Sequence, residues 1–184
     1  MAMSQLGSGL YAADHREESV SVKEALLSTL RRVGDSESNL LAVQSNLANS
    51  YQILEGRKEE ALRLRRDVYF GRLRLNGEEH LETLKAAVNY ANALLNLKRF
   101  EEAKALLRQT IPVARRVLGE NNDGTLKMRV VYAQSLYRDP AATLDDLRKA
   151  VTTLEGTERI ARRVLGGEHP FTENIEDSLR ESRE

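Results

Sequence analysis

The stretch VNYANALLNLKRFEEA, residues 88–103, decides how the rest of the chain is read. Ala87, Tyr90, Ala91 and Leu94 recur at i, i+3, i+4 and i+7, the spacing that puts apolar side chains on one face of a helix. The pattern breaks at the short turn Lys98-Arg99 and restarts at Phe100, with the acidic pair Glu101-Glu102 and then Ala103. Alanine in the middle of the first helix and early in the second lets two antiparallel helices approach closely. Neither can bury its apolar face alone, so such a pair needs neighbours of the same kind.

The neighbours are in the sequence. SNLANSY (residues 45–51), VNYANAL (88–94) and VYAQSL (131–136) align on Ala48, Ala91 and Ala133, which are spaced by 43 and then 42 residues. Each is followed by an acidic pair: Glu59-Glu60 before Ala61, Glu101-Glu102 before Ala103, and Asp145-Asp146 before Leu147. Gly77, Gly119 and Gly166 come next, then Thr83-Leu84, Thr125-Leu126 and Thr172. The register slips in the third copy, where Gly119 and Gly166 are 47 residues apart.

This repeat predicts an all-α fold, an α-α superhelix of antiparallel helix pairs with a period near 42 residues. The first helix of each pair (A) is expected at about 40–54, 82–97 and 125–137, the second (B) at about 58–75, 100–118 and 141–165. Asp139-Pro140 reads as a cap followed by a proline in the first turn. Gly156, within LEGTER, is where the long third B helix could kink. In domain terms, residues 1–19 read as a flexible arm and 20–184 as one array. The array comprises an unpaired B helix at 20–33, repeats at about 38–77, 81–119 and 124–166, and a capping helix at 171–183.

The repeated RRVLG of residues 115–119 and 162–166, with the shorter Arg31-Arg32-Val33-Gly34, reads as the end of helix B. Val117-Leu118 and Val164-Leu165 are expected to close its apolar seam, and the glycine to end it in the left-handed conformation. The arginines of the last turn suit the negative end of the helix dipole.

Leu47-Ala48-x-x-Tyr51…Ala61 resembles the tetratricopeptide (TPR) signature. The period near 42, Asn46-Leu47-Ala48, Asn89-Tyr90-Ala91, Arg99-Phe100-Glu101-Glu102-Ala103, Leu118-Gly119 and Gly166-Gly167-Glu168-His169-Pro170 resemble the kinesin light chain type of TPR. The resemblance implies a right-handed solenoid whose A helices line a concave groove. Groove positions would then be Ser45, Asn46, Asn49 and Gln52 in the first repeat, Lys85, Asn89, Asn92 and Asn96 in the second, and Lys127, Gln134 and Arg138 in the third. Asparagine is a poor interior helix former, so Asn46 and Asn89 at equivalent positions call for a reason. Their amides could hold the backbone of an extended peptide, as the resemblance implies, or they could bond between helices or meet water. The third copy departs from the pattern, with Val131 at that position. Lys85, Lys127, Arg129 and Arg138 make the groove neutral to mildly basic, which favours a ligand carrying acidic residues.

Other functions find little support. Lys plus Arg equals Asp plus Glu, 28 of each, so no net field recruits nucleic acid or an anionic membrane. The arginine-rich run over residues 61–77 has Glu59 and Glu60 within reach of Arg63 and no aromatic platform for bases. His80 and His169, beside Glu78, Glu79 and Glu168, fall at one loop position in different repeats, with Asn122 between them. They suit the start of a helix better than a metal site. No phosphate loop, nucleophile–base pair or metal cluster is present, so neither catalysis nor a cofactor is expected. The chain has no cysteine and no apolar run near the roughly 20 residues of a membrane span. A cytoplasmic protein-interaction scaffold binding a protein or peptide is the expectation. The alternative is an assembly subunit packing through its convex face or ends, motivated by the long third B helix and by exposed Phe70 and Phe171.

Overall fold

Each period of the sequence becomes two packed helices, and the helices are bounded by chemistry the repeat carries. The computed structural model describes residues 16–54 and 56–183, and among these the chain forms eight α-helices and no strand. It divides into two compact units, residues 1–77 and 78–184.

The first unit contains α1 (Arg16–Val33), α2 (Glu37–Ile53) and α3 (Lys58–Asn76). Of the arm expected over residues 1–19, residues 1–15 lie outside those described, whereas 16–19 form the first turn of α1 and Ser19 is fully buried. Val20 and Leu27 of α1 pack on Leu47 and Tyr51 of α2 and Ala61 of α3. A polar seam accompanies this core. The Lys23 ammonium donates to Ser50 Oγ at 2.7 Å, and Tyr51 donates its hydroxyl to Glu24. Burial and the Glu24 carboxylate push the Tyr51 phenol up to about 12. The Arg57 guanidinium stacks 3.9 Å above the Tyr51 ring.

Two arginines of the arginine-rich run are buried rather than solvated. Arg65 donates to Gln52 Oε1 at 3.2 Å and Asn49 Oδ1 at 3.0 Å, and Arg72 donates to Ser38 Oγ at 2.9 Å. Arg63 stays exposed, and Glu60 pairs with Arg57 instead, at 3.0 Å. Gly71 leaves room on α3 for the Leu41 side chain of α2, since a Cβ there would sit 2.6 Å from Leu41 Cδ2.

The second unit contains α4 (Leu81–Asn96), α5 (Phe100–Leu118), α6 (Asp123–Tyr137), α7 (Leu144–Leu165) and α8 (Pro170–Glu181). Its core runs through Val130, Ala133 and Leu136 of α6, Ala150, Leu154 and Ala161 of α7, and Ile175 of α8. Phe171 is packed against this core, so its expected exposure is corrected, while Phe70 in the first unit is 52% exposed. The alanines that defined the repeat (Ala91, Ala103 and Ala133 here, Ala48 and Ala61 in the first unit) are at most 1% exposed, as close helix packing requires.

Helix starts follow one plan. His80 Nδ1, Asn122 Oδ1 and His169 Nδ1 each accept from the backbone N–H two residues on, capping α4, α6 and α8. At the B helices the second acid of each acidic pair reaches back to the residue before the helix: Glu60 to Arg57, Glu102 to Arg99, and Asp146 to Thr143. The last is a full capping box, which starts α7 at Leu144 rather than at the expected Ala141. Asp139-Pro140 therefore belongs to a turn, in which Asp139 Oδ1 accepts from Ala141 N at 2.9 Å. α7 runs unbroken through Gly156, which leaves space for the Arg129 guanidinium, 3.0 Å from where a Cβ would lie.

The RRVLG ends differ from expectation in two ways. Val117 and Val164 are 39% and 47% exposed, so the seam closes on the half-buried Leu118 and Leu165 alone. Gly77, Gly119 and Gly166 have φ of 82°, 90° and 94° with ψ of 172°, 163° and 162°. That is an extended positive-φ conformation essentially reserved for glycine, not the left-handed helical one. Nothing crowds a Cβ at Gly119, so Gly119→Ala isolates the backbone cost. A loss of about 1–3 kcal/mol in urea denaturation is expected.

The arginines of these ends do more than meet the dipole. Arg116 donates to Glu79 Oε1 at 2.6 Å and Arg163 to Asn121 Oδ1 at 3.2 Å, linking each helix end to the loop one period earlier. In the first unit Arg74 pairs with Glu37 in the same manner.

Candidate functional site

On α4, Leu81, Leu84, Lys85, Val88 and Asn89 fall at i, i+3, i+4, i+7 and i+8, one stripe of the helix. Asn92 and Asn96 continue it toward the C-terminus. On α6, Gly124, Lys127 and Met128 form the matching stripe. Between the two helices lies a cavity of about 500 Å³, lined by both stripes and closed at one end by Leu118 and Asn122. It brings together Lys85, Asn89 and Lys127, three of the residues expected at a groove.

The floor of the cavity is apolar, with Leu84 and Met128 at most 2% exposed. Its rim is polar. Asn89 is half-buried, and Lys85 and Lys127 are exposed. Each lysine is held by a carboxylate of its own helix, Lys85 by Glu82 at 2.9 Å and Lys127 by Asp123 at 2.7 Å. Exposed pairs of this kind contribute roughly 0–1 kcal/mol, so an incoming carboxylate can exchange with them at small cost.

The remaining expected positions are not gathered there. The Asn92 amide donates to the Val88 carbonyl of its own helix at 3.1 Å, and Asn96 is exposed near the end of α4. Gln134 is buried and donates to Ser178 Oγ at 2.9 Å. Arg138 donates to Glu181 Oε2 at 2.8 Å, an oxygen that also accepts from the Tyr137 hydroxyl. Arg138 and Tyr137 hold the Glu181 carboxyl below its ordinary value. α8 thus engages the C-terminal half of α6. Val131, where earlier copies carry asparagine, is buried. In the first unit, Asn46 is exposed on α2 and Ser45 half-buried, while Asn49 and Gln52 accept from Arg65. Burial holds the Arg65 guanidinium below its ordinary value, and its Nη1 has no hydrogen-bond partner. Among the described residues no group of His, Asp or Glu is placed to hold a metal ion, and no helix is long and apolar enough to cross a membrane.

Sequence reasoning missed a second polar constellation. Lys104, on α5, has a side chain only 5% exposed and reaches Asp139 Oδ2 at 2.8 Å. Burial pulls the Lys104 ammonium down, but Asp139 and Glu101 outweigh it and hold it above its ordinary value. Nothing in the local sequence announces a partner 35 residues away.

Comparison with known proteins agrees with the all-α repeat fold. The tetratricopeptide repeat family matches residues 83–123, which span most of α4, all of α5 and the start of α6. No match is found among curated proteins. Two structures of nearly identical TPR-like repeats, from a Podosopora anserina protein described as a kinesin light chain, superpose with TM-scores of 0.80 and 0.78. Each is 22% identical and covers 98% of this chain and 83% of that one. The structure of BtubC (BKLC) from P. vanneervenii superposes with a TM-score of 0.73 at 14% identity, covering 98% of this chain and 74% of that one. Residues 83–123 match the tetratricopeptide repeat family, and the chain as a whole has the fold of the kinesin light chain-like TPR repeat structures.

Proposed function

We propose that the chain is a protein-interaction module and that the face shared by α4 and α6 binds an extended peptide segment of a partner. The observation that supports this reading is the cavity that collects Lys85, Asn89 and Lys127 over an apolar floor. An amide offers both a donor and an acceptor, so Asn89 can bond a peptide backbone irrespective of its side chains. Leu81 and Leu118, the more exposed apolar lining residues, would receive one apolar side chain, and the two lysines favour an acidic residue beside it. Exposed Asn46, on α2, offers the same chemistry in the first unit.

Selection of peptides from a random library on the intact chain tests the proposal. Asn89→Ala is expected to weaken the selected peptides about tenfold, the equivalent of a lost buried hydrogen bond or two, with helical content unchanged. Retained affinity in Asn89→Ala, and in Lys85→Gln with Lys127→Gln, would overturn it. A second reading, an assembly subunit packing through its outer surface, is favoured by the 52% exposure of Phe70. It requires association in sedimentation velocity that Phe70→Ser abolishes.

A further inference from the structure

α6 also borders a second cavity. Arg129 follows Lys127 by two residues, so at 100° of turn per residue it lies on the opposite side of α6, with Tyr132 one turn on. They line a cavity of about 360 Å³ with Arg108, Ile111, Pro112 and Arg115 of α5 and Thr153 of α7.

Its charges do not balance. Three guanidinium groups, those of Arg108, Arg115 and Arg129, share one lining carboxylate, Glu120. Arg115 pairs with Glu120, and Arg129 Nη1 reaches it only at 3.4 Å. Arg108 has the Tyr132 hydroxyl at 3.4 Å. The acids that Arg108 feels at longer range, Glu101 and Asp146, are engaged by Lys104 and Thr143. Arg129 is the most enclosed of the three, its side chain 19% exposed, and burial holds its guanidinium below the ordinary arginine value. Gly156 is the residue that leaves room for it. Beside the arginines, Pro112 carries no N–H for the Arg108 carbonyl, so that oxygen is left without its helical donor.

We propose that this cavity between α5 and α7 is a second docking site, which takes the side-chain carboxylates of an acidic peptide segment. Guanidinium forks pair with carboxylates through two parallel bonds, and a net excess of two positive charges in one cavity supplies the attraction. The Arg108 carbonyl accepts a peptide N–H, and Ile111 with Pro112 offers an apolar wall. A free anion would use only the arginines. The site shares no lining residue with the α4–α6 face and does not depend on it.

The test uses a fluorescein-labelled peptide of alternating glutamate and alanine, and its counterpart with lysine for glutamate, read by fluorescence anisotropy at fixed ionic strength. The intact chain is expected to bind the glutamate peptide and not the lysine one. Arg108→Gln with Arg115→Gln changes two exposed side chains and should weaken binding about tenfold or more. Glu120→Gln, which removes the competing carboxylate, should tighten it. Arg66→Gln with Arg180→Gln, two exposed arginines outside both cavities, should leave it unchanged. Binding unaffected by Arg108→Gln with Arg115→Gln, or weakened as much by Arg66→Gln with Arg180→Gln, would overturn the proposal. So would displacement of the peptide by inorganic phosphate alone, which would make this a small-anion site.

Discussion

Leu136→Ala is expected to destabilise the second unit by about 2–5 kcal/mol, the range for deleting a buried leucine side chain that its surroundings cannot replace. Leu136 is fully buried and lies in the cluster where α6, α7 and α8 meet, beside Leu154 and Ile175. Three members of the same cluster are alanines, Ala133, Ala150 and Ala161, whose short side chains cannot reach into the vacated space. The cavity would therefore persist, and its cost adds to the lost transfer energy. Leu144→Ala is the control, because Leu144 is 73% exposed and its truncation should change stability by less than about 0.5 kcal/mol. Urea denaturation of both variants checks the contrast.

Asp139→Asn is expected to cost about 1–3 kcal/mol near neutral pH, because it takes from the buried Lys104 ammonium its best-enclosed partner. The Asp139 side chain is 11% exposed, so little solvent screens the pair. Lys104, followed by the Ala141 N–H, holds the Asp139 carboxyl below the usual aspartate range. A carboxyl depressed in the folded state stabilises the fold fully above its unfolded pKa of about 3.9, and that contribution disappears as pH falls through the lower folded value. Unfolding free energy should therefore decline below about pH 4, and Asp139→Asn should flatten that part of the curve. A variant with wild-type stability at neutral pH and an unchanged acid limb would remove Lys104–Asp139 from the interactions that hold α5 to the turn after α6.

The repeat was legible because it depends on spacing within one helix pair. Alanines at Ala48, Ala91 and Ala133 could be aligned without knowing any partner, and all are fully buried. The helix-start role of His80, Asn122 and His169 was legible for the same reason, since each bonds a backbone N–H two residues on. The start of α7 was present in the sequence as the capping box Thr143 to Asp146, but the nearby Asp139-Pro140 offered a competing start. Side-chain contacts joining one helix to the other were not legible. Arg65 and Arg72 look like solvated members of a basic stripe until α2 supplies Asn49, Gln52 and Ser38. Gly71 looks like a helix breaker until Leu41 is seen against it.

At the candidate site, the resemblance to TPR arrays marked Lys85, Asn89, Asn92 and Asn96 as groove positions, and helical spacing places them on one face of α4. What it could not show is how neighbouring elements use such a face. Asn49 and Gln134, the equivalents of Asn92, are engaged by Arg65 and Ser178, whereas Asn92 bonds the Val88 carbonyl of its own helix, so one sequence position makes different contacts in different repeats. The difference lies in whether a further helix bonds there. α8 does so for the C-terminal half of α6, and the N-terminal half remains beside the cavity.

The most direct measurement is the side-chain amide spectrum of the intact chain, ¹⁵N-labelled, during titration with a peptide selected on it. If the α4–α6 face holds the peptide backbone, the Asn89 amide resonances shift with the largest amplitude, the backbone signals of Lys85 and Lys127 follow, and Gln134 stays in place. Saturable binding that leaves Asn89 unmoved, or that shifts Gln134 and Ser178 instead, would contradict the peptide-binding role of this face.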